Sequence, residues 1–71
     1  MITVIVKGEH FETAIGKFKP RDIIPLVDIF YDCGIFDENG NLYEVNKTSF
    51  KTEMRGGVRI TVFVIEMTLV Q

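Results

Sequence analysis

Three groups of residues have types and spacings that bear on chemistry. The first is Cys33 with His10, the chain's one cysteine and one histidine, the smallest set from which a thiol nucleophile and its base can be built. Cys33 follows Asp32 at the end of a helical pattern, where the helix dipole and a neighbouring carboxylate both disfavour a thiolate. No acyl- or phosphoryl-transfer motif accompanies the pair, and two such side chains are too few for a zinc site. A lone cysteine beside an apolar stripe is read as packing. The second group, Asp37, Asn39 and Asn41, matches the first three ligand positions of a calcium-binding EF-hand loop. The match fails where geometry is strict, because the sixth position is Leu42 instead of glycine and the twelfth is Thr48 instead of a bidentate glutamate. A reversal built on Asn39-Gly40 explains the same residues. The third, Gly56-Gly57, lacks the helix and lysine of a phosphate-binding loop. The expectation is a chain that is not an enzyme, with no cofactor, metal or small-molecule substrate.

Charge offers two binding surfaces instead. Asp22, Asp28, Asp32, Asp37, Glu38 and Glu44 make the middle of the chain -6, and the flanks carry all eight cations against four acids, for +4, which together give the net -2. Lys47, Lys51, Arg55 and Arg59 form a candidate nucleic-acid patch. Lys47, Lys51 and Arg55 share one face of a strand whose best stacking aromatic, Phe50, lies on the other, and a pI near 5.2 opposes a phosphate-driven mechanism. Lysines protecting a strand edge account for the same pattern. Asp28 and Asp32, one turn apart on a helix, form a candidate acidic face for docking on a basic groove of another protein.

The elements that position these groups centre on a hairpin. Gly56-Gly57 between β-branched runs is the composition of a two-residue primed turn. That turn sets Arg55 opposite Val58, Lys51 opposite Val62, Phe50 opposite Phe63 and Thr48 opposite Ile65. The last strand is apolar on both faces, as a central strand is. Upstream, Ile2 to Lys7 alternates as a strand and is a good neighbour for the last one. Phe11 to Phe18 is a weaker strand pattern, with Phe11, Thr13 and Ile15 on one face. Asp22 is the expected N-cap of a helix of about three turns, with Pro25 in its first turn and Gly34 as its left-handed cap. Ile23, Leu26, Val27, Phe30 and Tyr31 form its apolar stripe, with Asp28 and Asp32 outside. A reversal and a short strand, Leu42 to Val45, lead into the hairpin.

Seventy-one residues with 46% apolar and 25% charged content suit one domain, 1–71, near the lower size limit for a core without disulfide or metal. No signal peptide is read at the start, no apolar run is long enough to span a membrane, and a single cysteine points to no oxidising compartment, so the expected location is cytoplasmic. The expected fold is α+β: a small antiparallel sheet of four or five strands with one short helix packed on one face, in the order β-(β)-α-β-β-β. One such helix leaves the stripe Val58, Ile60, Val62 and Val64 uncovered, which predicts a homo-dimer or a hetero-protein partner. The function expected is a small non-catalytic protein-binding or self-associating module. Chains of this size and type are common among phage-encoded and regulatory accessory proteins acting on a host or partner protein. The alternative is a nucleic-acid-binding module using the four basic residues.

Overall fold

The computed structural model describes Met1–Val70. Its elements are β1 (Ile2–Lys7), β2 (Glu12–Phe18), α1 (Pro20–Cys33), β3 (Ile35–Phe36), β4 (Leu42–Arg55) and β5 (Val58–Leu69). The five strands form one sheet in the order β2-β1-β5-β4-β3. The fold is α+β, with the sheet curled into a half-barrel and one helix.

The β4–β5 hairpin forms in the register its turn dictates. Gly56 and Gly57 both have positive φ, 56° and 79°, as a type I′ turn requires. Pairing runs from Arg55 opposite Val58 through Phe50 opposite Phe63 to Thr48 opposite Ile65. The Phe50 and Phe63 rings stand 4.6 Å apart between centroids. This hairpin continues beyond the body of the sheet, because β1 joins β5 only from Val62 onward. The molecule is accordingly elongated, at 40 × 25 × 18 Å.

Two strand expectations are corrected. β1 does lie beside β5, but parallel to it, with Thr3 opposite Val62 and Lys7 opposite Glu66, so the sheet is mixed. Alternation of side chains places a strand and says nothing of its direction. Here β2, α1, β3 and β4 all intervene, which supplies the long connection that parallel neighbours need. Second, Leu42 to Arg55 is one strand, not two. Its pairing steps from Val45–Met67 to Lys47–Glu66, so Asn46 is an extra residue that bends the strand without ending it. The weakly patterned second strand forms as β2, and its own extra residue is Ile15, between the pairs Val4–Gly16 and Ile5–Ala14.

The helix begins earlier than expected. Pro20, with its preset φ, is the first helical residue; Lys19 takes the N-cap position without a side-chain cap, and Asp22 lies within the first turn. Pro25 therefore falls in the helix interior. The helix ends at Gly34, whose φ is positive and whose N–H donates to the Phe30 carbonyl over 2.8 Å. A Cβ there would stand 2.5 Å from the Tyr43 carbonyl oxygen, so glycine is required both for conformation and for close approach. Tyr31 is exposed, not part of the apolar stripe. It lies eight residues from Ile23, about 80° round the helix at 3.6 residues per turn.

Two clusters of buried residues lie on opposite faces of the sheet. On the helix face, Val4, Val6, Ile23, Phe63, Ile65 and Met67 pack together, with Leu26, Val27 and Phe30 of α1 against them. Phe11 crosses this face to meet Tyr43 edge-to-face at 5.3 Å. On the opposite face, Ile5, Val62 and Val64 are buried with Ile60 packed against them. No helix lies there; the curl encloses these residues. β2 and β4 are separated by two strands, yet Ala14 and Lys17 of β2 share a groove of about 640 Å³ with Arg55 and Ile60 of the hairpin. The expectation of an uncovered stripe is thus not met at Val62 and Val64, which are 0% and 7% exposed within one chain. Only Val58, on the projecting hairpin, is open, and Ile60 is intermediate. No helix among the described residues is long and apolar enough to cross a membrane.

Candidate protein-interaction surface

Three exposed apolar side chains, Ile24, Phe50 and Met54, lie on α1 and on the helix-side face of β4, while others, among them Met1, Ile29, Phe36 and Val58, lie elsewhere on the surface. Ile23 and Val27 turn toward the sheet. Ile24, one residue round the helix from Ile23, is 73% exposed and looks across at Phe50, itself 59% exposed. Ile24, Val27 and Asp28 form one wall of a cleft of about 350 Å³, Thr48 and Phe50 the other, with Phe63 also lining it. Met54 continues the same face of β4 four residues on and is also exposed. The strand alternation that buries Phe63 also aims Phe50 and Met54 at the helix side, yet both stay exposed although β4 is the strand whose backbone α1 approaches most. The result is an apolar cleft with a carboxylate, Asp28, at its rim. Asp32 is exposed one turn further along α1.

The other face of β4 is charged and internally matched. Glu53 Oε1 lies 2.9 Å from Lys51 Nζ, and Glu53 Oε2 lies 3.0 Å from an Arg55 guanidinium nitrogen. The hydrogen bond from Lys51, then that from Arg55, holds the Glu53 carboxyl below its ordinary pKa. Lys51 is raised in turn, first by its hydrogen bond to Glu53 and then by charge, with Glu12 of β2 contributing. Lys47 Nζ stands 3.3 Å from Glu66 Oε2, close enough for attraction without hydrogen-bond alignment. Arg59 pairs with Met54 and so shares the helix face of the hairpin. The four candidate nucleic-acid residues therefore do not converge. Three lie on one face, each paired with a carboxylate, Lys47 with Glu66 and both Lys51 and Arg55 with Glu53, and the fourth is on the other.

Cys33 is exposed at the end of α1, while His10 is exposed in the β1–β2 turn beside Glu9, at 3.9 Å. Among the described residues no three His, Cys, Asp or Glu side chains converge as metal ligands. Asp37 is committed to its own loop: Oδ1 accepts from the backbone N–H of Asn39 and of Asn41, each at 2.9 Å, and Oδ2 accepts from Asn41 Nδ2 at 3.1 Å. The bonds to Asn41, backbone first, keep its carboxyl below the ordinary value.

No protein-family model matches the chain, and neither curated proteins nor solved structures give a match. The reading of its function therefore rests on this surface. Ile24, Phe50 and Met54 escape the sequence argument because amphipathic spacing separates inside from outside on an element. It does not report how much of a neighbouring strand a helix leaves open to solvent.

Proposed function

We propose that this protein is a small non-catalytic protein-binding or self-associating module, acting in the cytoplasm as an accessory to a partner protein. The observation that carries this reading is the open cleft between α1 and β4. Ile24 and Phe50 present large apolar side chains to solvent on either side of it, with Met54 beyond and Asp28 at the rim. Contiguous apolar surface with a polar border is the composition of a protein interface, a central anchor inside a charged rim. Asp28 and Asp32 would then steer a basic partner and add little to affinity once it is docked. Val58 and Ile60 fall on the projecting hairpin as a second accessible strip, whereas Val62 and Val64 contribute only as core. The nucleic-acid alternative is weakened by the interleaving of Lys47, Lys51 and Arg55 with Glu53 and Glu66, which lowers the charge density that counterion release requires.

The test is binding by wild type and by an Ile24→Ser, Phe50→Ser double variant whose circular dichroism and unfolding midpoint are first shown to be near wild type. Self-association is measured by sedimentation. Partner binding is measured by titration with proteins captured from the native host and then purified. Loss of both in the variant supports the cleft. Retained binding, or tight salt-sensitive binding to generic DNA or RNA that Lys51→Glu abolishes, overturns it.

A further inference from the structure

β4 is the longest strand of the sheet, and most of it has a neighbour on one side only. β3 pairs with just Leu42 and Tyr43, so from Glu44 to Arg55 the outer edge of β4 meets no strand. Because Arg55 and Val58 flank a two-residue type I′ turn, they exchange hydrogen bonds with each other. The alternation that follows turns the N–H and C=O of Arg55, Glu53, Lys51 and Ser49 toward β5. Those of Met54, Thr52, Phe50 and Thr48 point outward. Side chains along Ser49–Thr52 are exposed, and the bulge at Asn46 closes the regular stretch at its other end. An open edge of this kind is a template for a further strand unless it is blocked.

We infer that this edge pairs with itself: two copies of the chain join β4 to β4 antiparallel about a two-fold axis through Phe50, extending one sheet across the dimer. This rests on the self-associating reading above and names its geometry. Charge selects the register. With Phe50 opposite Phe50 of the second copy, Lys47 faces Glu53 twice, Ser49 faces Lys51 twice, and Thr48 faces Thr52 twice. No like charges oppose, and an aromatic pair stands at the centre. Shifting the axis to Lys51 sets lysine against lysine and Lys47 against Arg55. Shifting it to Ser49 sets Lys47 against Lys51. An axis at Thr52 is compatible with charge but shortens the overlap at the turn. The Phe50-centred register uses Lys47 to Glu53 in full, between the bulge and the turn. It also places outward-pointing residues opposite one another, allowing about six backbone hydrogen bonds. The added strand brings Phe50 of the second copy beside the exposed Phe50 that lines the cleft with Ile24, so the same association covers part of the exposed apolar surface, with Met54 outside the paired stretch. β2, the other edge, is a poorer template, because Ile15 breaks its ladder in the middle.

The edge-protection reading of Lys47, Lys51 and Arg55 predicts a monomer, so the two readings separate by sedimentation equilibrium across micromolar to millimolar concentrations. Wild type is expected to dimerise. Thr52→Pro removes an outward-facing N–H that the monomer does not use, a position where edge proline is tolerated, and should weaken the dimer about thirtyfold or more. Lys47→Glu and Glu53→Lys each set like charges across the axis and should weaken it separately, while an equimolar mixture of the two recovers a heterodimer. Circular dichroism of each variant controls for folding, and recovery in the mixture excludes misfolding as the cause. A wild type that stays monomeric overturns the edge dimer but leaves the cleft reading to its own titration with purified partner. A dimer indifferent to Thr52→Pro and to the charge exchange also overturns it, while showing that self-association is real and lies elsewhere.

Discussion

β4 and β5 are neighbours in one hairpin, 14 and 12 residues long, yet they play opposite parts. In β5 every residue from Val62 to Ile65 is buried, and Met67 as well; in β4 none is. Phe50 and Phe63 show the contrast within one pair. Their rings touch, but Phe63 is 4% exposed and Phe50 is 59%. The difference comes from position in the sheet. β5 has β1 on its other side, α1 over one face and the curl around the other, whereas β4 has β5 alone along most of its length. A hairpin fixes register between two strands without making them equal, and the outer strand is left with apolar side chains and backbone groups open to another molecule.

The largest effects should come from the inner strand. Val62→Lys places an ammonium where a fully buried side chain sits between Ile5 and Val64, and should leave the chain largely unfolded. Ile65→Ala, at another fully buried position, should cost about 2–5 kcal/mol in denaturant unfolding. If Val62→Lys instead stays folded and merely changes oligomeric state, the opposite face of β5 is an interface and not core. The turn comes next. Gly57→Val meets no neighbour within 4 Å, so its cost is conformational alone, about 1–3 kcal/mol for a β-branched residue at positive φ. An unchanged midpoint would exclude the type I′ turn. The outer strand should show the reverse balance. Phe50→Ala should lower monomer stability by only about 1 kcal/mol, the worth of the aromatic pair, while abolishing association. A loss as large as that of Ile65→Ala would mean that β4 is core after all.

Much of this contrast is legible in the amino-acid sequence. The glycine pair specifies one register, and every pair read from it is present. The two apolar faces of β5 mark a central strand, and β1 is its natural neighbour. What sequence does not report is non-local. Side-chain period carries no strand direction, so the parallel β1–β5 pairing is invisible to it. Asn46 resembles a break because a bulge and a turn attract similar residues. Pro20 displaces Asp22 as the start of the helix, since a preset φ suits the first helical position. The curl leaves no local signature at all. It buries Val62 and Val64 inside one chain, and the exposed apolar residues include Ile24, Phe50 and Met54 instead. Lys51 and Glu53 are legible as charges on alternating positions, but their pairing depends on rotamers that spacing leaves open.

The smallest effect tests the far end of β4, where the strand begins at the Asp37–Asn41 loop that joins it to β3. Asp37 accepts three hydrogen bonds from Asn39 and Asn41, and those to Asn41 do most to hold its pKa below the ordinary value. A carboxyl depressed on folding binds fewer protons in the folded state than in the unfolded one. Its contribution is therefore present above the unfolded pKa, near ~4, and is lost as pH falls through the lower folded value. Glu53 at the hairpin end has the same sign through Lys51 and Arg55, so both ends of β4 should loosen on acidification, whereas the uncharged core of β5 should not respond. The amide resonances of Asn39 and Asn41 should titrate together with a midpoint below that of an unfolded aspartate, and Asp37→Asn should remove the transition while leaving the signals of Val62 to Ile65 in place. A midpoint at or above ~4 would mean that Asp37 gains nothing from its loop. Acid-induced change at Val62 to Ile65 ahead of Asn41 would mean that β4 is not the weaker partner.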